Sequence, residues 1–469
     1  MECIRSIHRV AMIFLLSLLK FSCAYAASPD TTYYVYVSLR GDNSIAVYKM
    51  NPQNGSLEKV YTEPVSGGPA SLAVDPSKQF LYVALRSSNA ISSYRIDPAT
   101  GRLTLINTIP AVDNPVYIST DKSGRFLLSA YYGASKAAIY PVGLDGVLKI
   151  PAVTTVTTDL NPHAILTDPA NRFLYITNMT GNSIHQHHFD SVSGTFTPLD
   201  PAEILPPAGT GPRHMIFHGS KRILYVVNET GNSVTAFQIN DTSGILTEFQ
   251  TISTLPAGYT GTSKCADIHI TPDNRFLYAS NRGHESIAAF EINPGDGSLI
   301  TIGQYSTVNS PREFDIDPTG TFLYAAGETS DNIARYRINK TTGMLDSLGC
   351  FAVGETPSWV MVVGQVNSTT LADASLSPDN PSYYKLNNAP NPFTTMTSIS
   401  YFIDRTSHIK INIYDVSGKW LLKLMEGQVA GGFYSIVWNL ACNPAGNGIY
   451  YCRLDTDFGC DVVKLVQVR

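Results

Sequence analysis

The sequence predicts an all-β protein: a seven-bladed β-propeller followed by a small β-sandwich domain. Three observations carry this. A short phrase returns seven times, an apolar-Leu-Tyr-like triplet followed by a polar turn, an alternating strand and a Gly turn. Its anchors, Tyr34, Phe80, Phe126, Phe173, Ile223, Phe276 and Phe322, lie 46 to 53 residues apart, the period of a four-stranded blade. The composition agrees, since 35 glycines, 28 prolines and 26 tyrosines with 15% charged residues suit short strands joined by tight turns.

The 469-residue chain opens with Arg5 and Arg9, an apolar run from Val10 to Leu19, and Ala24-Tyr25-Ala26. That order reads as a secretory signal peptide over 1–26. The run is too short to span a bilayer, and Lys20 stands where lipid attachment at Cys23 would require an apolar residue. The propeller is expected over 31–364. In its fourth repeat, Pro162–Asp168, Phe173–Met179 and Ser183–Phe189 alternate as strands, and a fourth strand starts near Thr195. The first repeat lacks its opening strand, but Pro357–Val363 patterns like Pro69–Val74. The ring therefore closes by joining both ends of the domain in one blade, which leaves no open sheet edge. Residues 365–382, rich in Ser, Asn, Asp and Pro, read as a linker. Over 383–469 the stretches Ile399–Ile403, Ile409–Tyr414, Leu421–Leu424, Tyr434–Trp438, Ile449–Leu454 and Val462–Val468 alternate as strands of a sandwich.

In a meander, strand one begins and strand two ends on the same face. Two columns of residues therefore surround one mouth of the central channel. The first strands open with Ala70, Val116, His163, Arg213, Asp267, Arg312 and Ser358. The second strands close with Arg40, Arg86, Tyr132, Met179, Glu229, Arg282 and Glu328. Scaffold positions repeat from blade to blade, whereas these differ and many ionise. His163, Arg213, Glu229 and Arg282 fall on blades four to six and can converge. Blades five and six are longer by Leu205–Gly211 and Pro256–Thr262, expected to wall a pocket.

Three stretches resemble the seven-bladed lactonase family, which includes propeller-type 6-phosphogluconolactonases and muconate lactonizing enzymes. They are Asn161-Pro162-His163-Ala164, then Gly211-Pro212-Arg213-His214 with Asn228-Glu229, then Ala266-Asp267-Ile268-His269 with Ser280-Asn281-Arg282-Gly283. The resemblance covers roughly residues 33–364. It implies that His163, Arg213, Glu229 and Arg282 are catalytic; His214, Asp267 and His269 in the matching stretches, and Arg86 and Arg312 on the same rim, are expected to contact substrate. Asn161 and the turn Asn178-Met179-Thr180-Gly181 depart from the family pattern, which bears on substrate more than on fold. In lactone hydrolysis Glu229 would orient or deprotonate water, His163 would pass a proton to the departing ring oxygen, and the arginines would stabilise negative charge. No metal or cofactor is required. His185, His187 and His188 form a dense patch, but no acidic or cysteine partner is evident near them, so no metal site is expected there.

The C-terminal unit resembles the type IX secretion sorting domain. The resemblance rests on Asn388-Ala389-Pro390-Asn391-Pro392-Phe393, Ile413-Tyr414-Asp415-Val416-Ser417-Gly418, Gly446-Asn447-Gly448-Ile449-Tyr450 and Lys464-Leu465-Val466. It implies export to the outside or surface of a Gram-negative bacterium by way of the periplasm, with the secretion machinery as partner. Five cysteines lie beyond the signal, and Cys442, Cys452 and Cys460 sit close enough in sequence for one disulfide. A net charge of −5 without a basic block argues against nucleic acid. The leading expectation is a secreted lactonase acting on a sugar-type lactone. A non-catalytic surface propeller binding glycan or protein, and a muconate-type cycloisomerase, are the alternatives.

Overall fold

The computed structural model describes residues 31–366, 385–389, 391–394, 396–403, 406–429, 432–439 and 448–468. The signal-peptide reading, most of the expected linker, and Pro390, Cys442, Gly446 and Asn447 lie outside them. Among the described residues every regular element is a strand, and no helix is long and apolar enough to cross a membrane. The chain divides into two compact units, Met1–Ser368 and Thr369–Arg469.

The first unit holds seven antiparallel four-stranded sheets. Six are continuous in sequence. Blade 4, for example, runs Pro162–Thr167, Phe173–Asn178, Ser183–Asp190 and Thr195–Ile204. Blade 1 is composite: Pro357–Val366 forms its inner strand and pairs with Thr31–Leu39, register Thr31↔Val366 to Leu39↔Pro357. Successive inner strands contact one another around a closed cycle, so the expected ring closure is present. The closing strand takes in Gln365 and Val366, which the sequence assigns to the linker, because both still have partners at Thr32 and Thr31.

The recurring phrase has a physical cause. In blades 2, 3, 4 and 7 an aspartate in the polar turn before the anchor accepts the anchor's own N–H. Asp75 Oδ1 does this for Phe80 (2.7 Å), Asp121 for Phe126 (2.9 Å), Asp168 for Phe173 (2.8 Å) and Asp317 for Phe322 (2.6 Å). Each anchor then packs on the turn glycine of the following blade. A Cβ on Gly244 would lie 2.3 Å from the Phe173 ring, and one on Gly101 would lie 2.4 Å from Tyr34. The tyrosine two residues after the anchor donates to the same glycine's carbonyl: Tyr36 to Gly101, Tyr175 to Gly244, Tyr225 to Gly297, Tyr278 to Gly343 and Tyr324 to Gly55. The last of these crosses the closure from blade 7 to blade 1. Anchor and Gly turn are thus two halves of one blade-to-blade joint.

The second unit has a three-stranded sheet, in the order Lys385–Ala389, Met396–Ile403 and Gly432–Asn439, and a four-stranded sheet built from Trp420–Val429, Ser407–Asp415, Gly448–Thr456 and Gly459–Gln467. They share one core of Ile399, Tyr401, Ile411, Ile413, Trp438, Cys452, Leu454 and Leu465. Asn391 grips the last strand, donating to Lys464 O (2.7 Å) and accepting from Val466 N (2.8 Å), while Phe393 N bonds Val466 O (2.9 Å). Cys265, Cys350, Cys452 and Cys460 are all free. The expected disulfide is therefore absent between Cys452 and Cys460. Those two face Val463 and Asp455 respectively across their shared strand pair, and Cys452 is buried while Cys460 is exposed.

Candidate active site

Every inner strand starts with a β-bulge, which turns an extra residue toward the channel. In blade 5, Pro212 pairs with Asn228 and pairing resumes at Met215↔Val226, so Arg213 and His214 stand in the bulge. In blade 6, Cys265 pairs with Asn281 and pairing resumes at Ile268↔Ala279. Cys265 therefore takes the place of Pro212, and Ala266 that of Arg213. This corrects the sequence register: Asp267 belongs with His214, one position further along. The backbone before three of these bulges is strained. Asn161, Ser310 and Thr356 have φ of 60°, 53° and 53°, and each precedes a proline, where extended backbone is preferred.

The two columns do meet. Arg40, Arg86, Val116, Tyr132, His163, Glu229, Arg282, Arg312 and Glu328 line a cavity of about 330 Å³. It adjoins a constriction lined by Ala70, Ser71, Arg213, Glu313, Ser358 and Trp359, with room (about 10 Å³) for roughly one water. All four expected catalytic residues, together with Arg86 and Arg312, border these spaces. His214, Asp267 and His269 do not. The bulge register sets them one and three positions further along, in a buried network. The insertions Leu205–Gly211 and Pro256–Thr262 also supply no lining residue. They brace strand turns instead, Asn182 bonding Pro206 O (2.9 Å) and Tyr259 lying edge-on to His284. Met179 is likewise absent from the wall. Asn161 donates to Tyr132 O (2.9 Å) and Asn178 to Ser183 Oγ (3.1 Å), so both departures from the family pattern act as scaffold rather than wall.

Glu229 Oε2 sits 3.1 Å from Arg213 Nε and 3.1 Å from an Arg282 nitrogen, with Lys264 Nζ 3.9 Å from its other oxygen. Burial pushes the Glu229 carboxyl up, but Arg213, Arg282, Lys264 and Arg312 outweigh it and hold the group below its ordinary range. Arg213 is wholly buried, donates to Ala266 O, and has a second carboxylate, Glu313, at 3.8 Å. Burial, with Arg282 and Arg312, lowers Arg213 to about 10, still cationic at neutral pH. Across the mouth, Arg40 and Arg312 share Glu328 at 3.2 and 3.6 Å. The rim is therefore cationic on balance, which favours anionic groups.

His163 is 5% exposed and its Nδ1 has no partner. Burial, with Arg213, His214 and Arg312 nearby, puts its pKa well below 6.5, so the imidazole is neutral at pH 7. Its ring meets Tyr132 and His214 edge-on. Behind it, His214 Nδ1 bonds Asp267 (2.8 Å), and Asp267 bonds His269 Nε2 (3.0 Å). Burial and the Asp267 charge raise Glu313 well above the usual carboxyl range, so it keeps its proton. Sequence reasoning passed over Glu313, Trp359 and Lys264. The first two share the His214 register position and become readable only once the bulge is counted. Cys265 is no nucleophile, because its thiol is buried, bonded to Thr254 and Asn281, and pushed up to about 12.

A sequence model described as lactonase, 7-bladed beta-propeller, matches residues 23–118 and 103–362. The 6-phosphogluconolactonase of Serratia proteamaculans (strain 568) is 34% identical over 237 residues, 50% of this chain and 71% of that protein. The one from Yersinia pestis is 37% identical over 242 residues, 51% of this chain and 71% of that protein. Among solved structures, the periplasmic gluconolactonase of Pseudomonas aeruginosa superposes with a TM-score of 0.66 at 27% identity, covering 71% of this chain and 99% of that one.

Proposed function

Because the chain belongs to the seven-bladed β-propeller lactonase family, we propose that it hydrolyses a sugar-type lactone outside the cytoplasm. The observation that carries this reading is Glu229, held ionised between Arg213 and Arg282, on the same cavity wall as a neutral His163 whose Nδ1 has no partner. Glu229 accepts a hydrogen bond from the attacking water and orients it. The neutral His163 imidazole, whose Nδ1 has no partner, takes the water proton as the water oxygen bonds to the carbonyl carbon. Arg282 and Arg312 stabilise the charge that develops on the carbonyl oxygen. The C–O ring bond then breaks, and His163 returns the proton to the departing ring oxygen. The hydroxy acid leaves as its carboxylate and releases one proton to solvent.

Export rests on the reading of residues 1–26 as a signal and of 383–469 as a type IX-like sorting domain. The grip of Asn391 and Phe393 on the C-terminal strand supports the second. An exported enzyme meets unphosphorylated sugar lactones more readily than the cytoplasmic phosphorylated one, and the periplasmic gluconolactonase relative agrees. The test is a panel of sugar lactones, with and without phosphate, followed by proton release. Wild type should accelerate opening, and Glu229→Gln and His163→Ala should each lose about a hundredfold or more in kcat. Equal rates for all three would leave a binding propeller, and turnover of muconate alone would point to a cycloisomerase.

A further inference from the structure

The histidine patch on blade 4 lacks acidic neighbours in sequence but has them in space. Glu203, on the outer strand Thr195–Ile204, pairs directly with His185 on the third strand. Asp159 arrives from the loop that leads into Pro162. His185 Nε2 stands 3.2 Å from Asp159 Oδ2 and 3.5 Å from Glu203 Oε2. One imidazole and two carboxylates thus point their donor atoms at one spot, all within 4.8 Å of one another. Metal–ligand bonds of ~2.1 Å in a tetrahedron put ligand atoms about 3.4 Å apart, and the two His185 distances, 3.2 and 3.5 Å, match that spacing.

We propose that Asp159, His185 and Glu203 form a divalent transition-metal site on blade 4, structural in role and separate from the lactone mouth. The donor set suits a borderline ion such as Zn²⁺ more than Ca²⁺, which prefers all-oxygen cages. A supporting shell is present: Asn178 Nδ2 donates to Ser183 Oγ (3.1 Å), and Ser183 Oγ donates to Asp159 Oδ2 (2.5 Å), which fixes the carboxylate. Asn178 and Ser183 are buried. Beside the triad lies a second imidazole, His187, which is 6% exposed, has no partner at Nδ1, and has its ring 6.1 Å from that of His185. Asp159 and Glu203 stay partly exposed, leaving a path for the ion and room for a water ligand.

The site stands apart from the mouth. Residues 158–161 carry Asp159, and Asn161 O receives Met179 N (2.9 Å) just before His163 enters the channel. An ion would tie this loop to the third and outer strands of its blade. None of the three ligands borders the cavity.

The test is Zn²⁺ titration of the whole chain by calorimetry, with the exposed thiols of Cys350 and Cys460 carboxymethylated beforehand. One ion per chain should bind, and Tm should rise. His185→Gln and Glu203→Gln should each weaken binding by more than tenfold and Ser183→Ala by about tenfold, with lactone turnover by His185→Gln unchanged. No Zn²⁺ binding to wild type, or equal binding to wild type and His185→Gln, would overturn the site. Neither result touches the lactonase reading, whose own test is turnover.

Discussion

At the scale of single residues, the chemistry depends on which form each group holds at neutral pH. Ordinary histidine titrates near 6.5, and a catalytic base of that kind would lose activity as pH falls through that value. His163 does not, because burial and three neighbours, Arg213, His214 and Arg312, disfavour its charged form and move its pKa well below 6.5. The neutral, competent imidazole therefore persists below pH 6.5 and is lost only as pH falls through the depressed value. Glu229 stays ionised over the same range, since its pKa is held below 4.5. The expected kcat/KM profile is flat from neutrality to well under pH 6.5, measured by proton release in weak buffer. Replacing Arg312 by Gln removes one of the depressing charges and should move the acid limb upward. A wild-type limb centred at 6.5 would show that burial and the three neighbours do not depress His163.

At the scale of elements, what makes a blade belong to its neighbour is the joint between anchor and turn glycine. Gly244 has φ of 75°, and a Cβ there would lie 2.3 Å from the Phe173 ring. An alanine meets two costs, left-handed backbone and overpacking, together about 2–5 kcal/mol. Gly209 separates them. Its φ is 82°, but nothing lies within 4 Å of a Cβ, so Gly209→Ala should lose only the backbone part, about 1–2 kcal/mol. Combining Phe173→Ala with Gly244→Ala should cost less than the sum of the two, because the first makes room for the second. Denaturant unfolding of the four variants measures the coupling. Strict additivity would mean that the ring and the glycine are neighbours without being a joint.

At the scale of the whole molecule, the ring was legible in the sequence because the joint recurs. Each anchor needs a glycine one blade later, and an Asp turn precedes it in blades 2, 3, 4 and 7, so period and closure both show in the residues. The mouth was legible because its residues break that repetition. What stayed hidden was hidden for physical reasons. Blade 6 has Cys265 where other blades have proline, so the bulge was counted one residue late and Asp267 was assigned to the rim. Glu313 and Trp359 stand one position past the counted column, on a face that only the bulge exposes. Asp159 and Glu203 meet His185 across a loop and a strand pair, a closeness that no local spacing encodes. The closing strand supplies the last prediction. Pro357–Val366 is the inner strand of blade 1 and touches the inner strands on both sides, Pro311–Ile316 and Pro69–Val74. It also brings Ser358 and Trp359 to the constriction. A chain ending at Val366 keeps every propeller strand and every mouth residue. It should unfold cooperatively and turn over lactone within about twofold of the full chain. A chain ending at Thr356 exposes the edge of Thr31–Leu39 and opens the ring, so it should aggregate or lose its unfolding transition. If the longer truncation fails as the shorter one does, the propeller depends on the C-terminal unit for its fold, and the ring does not close on its own.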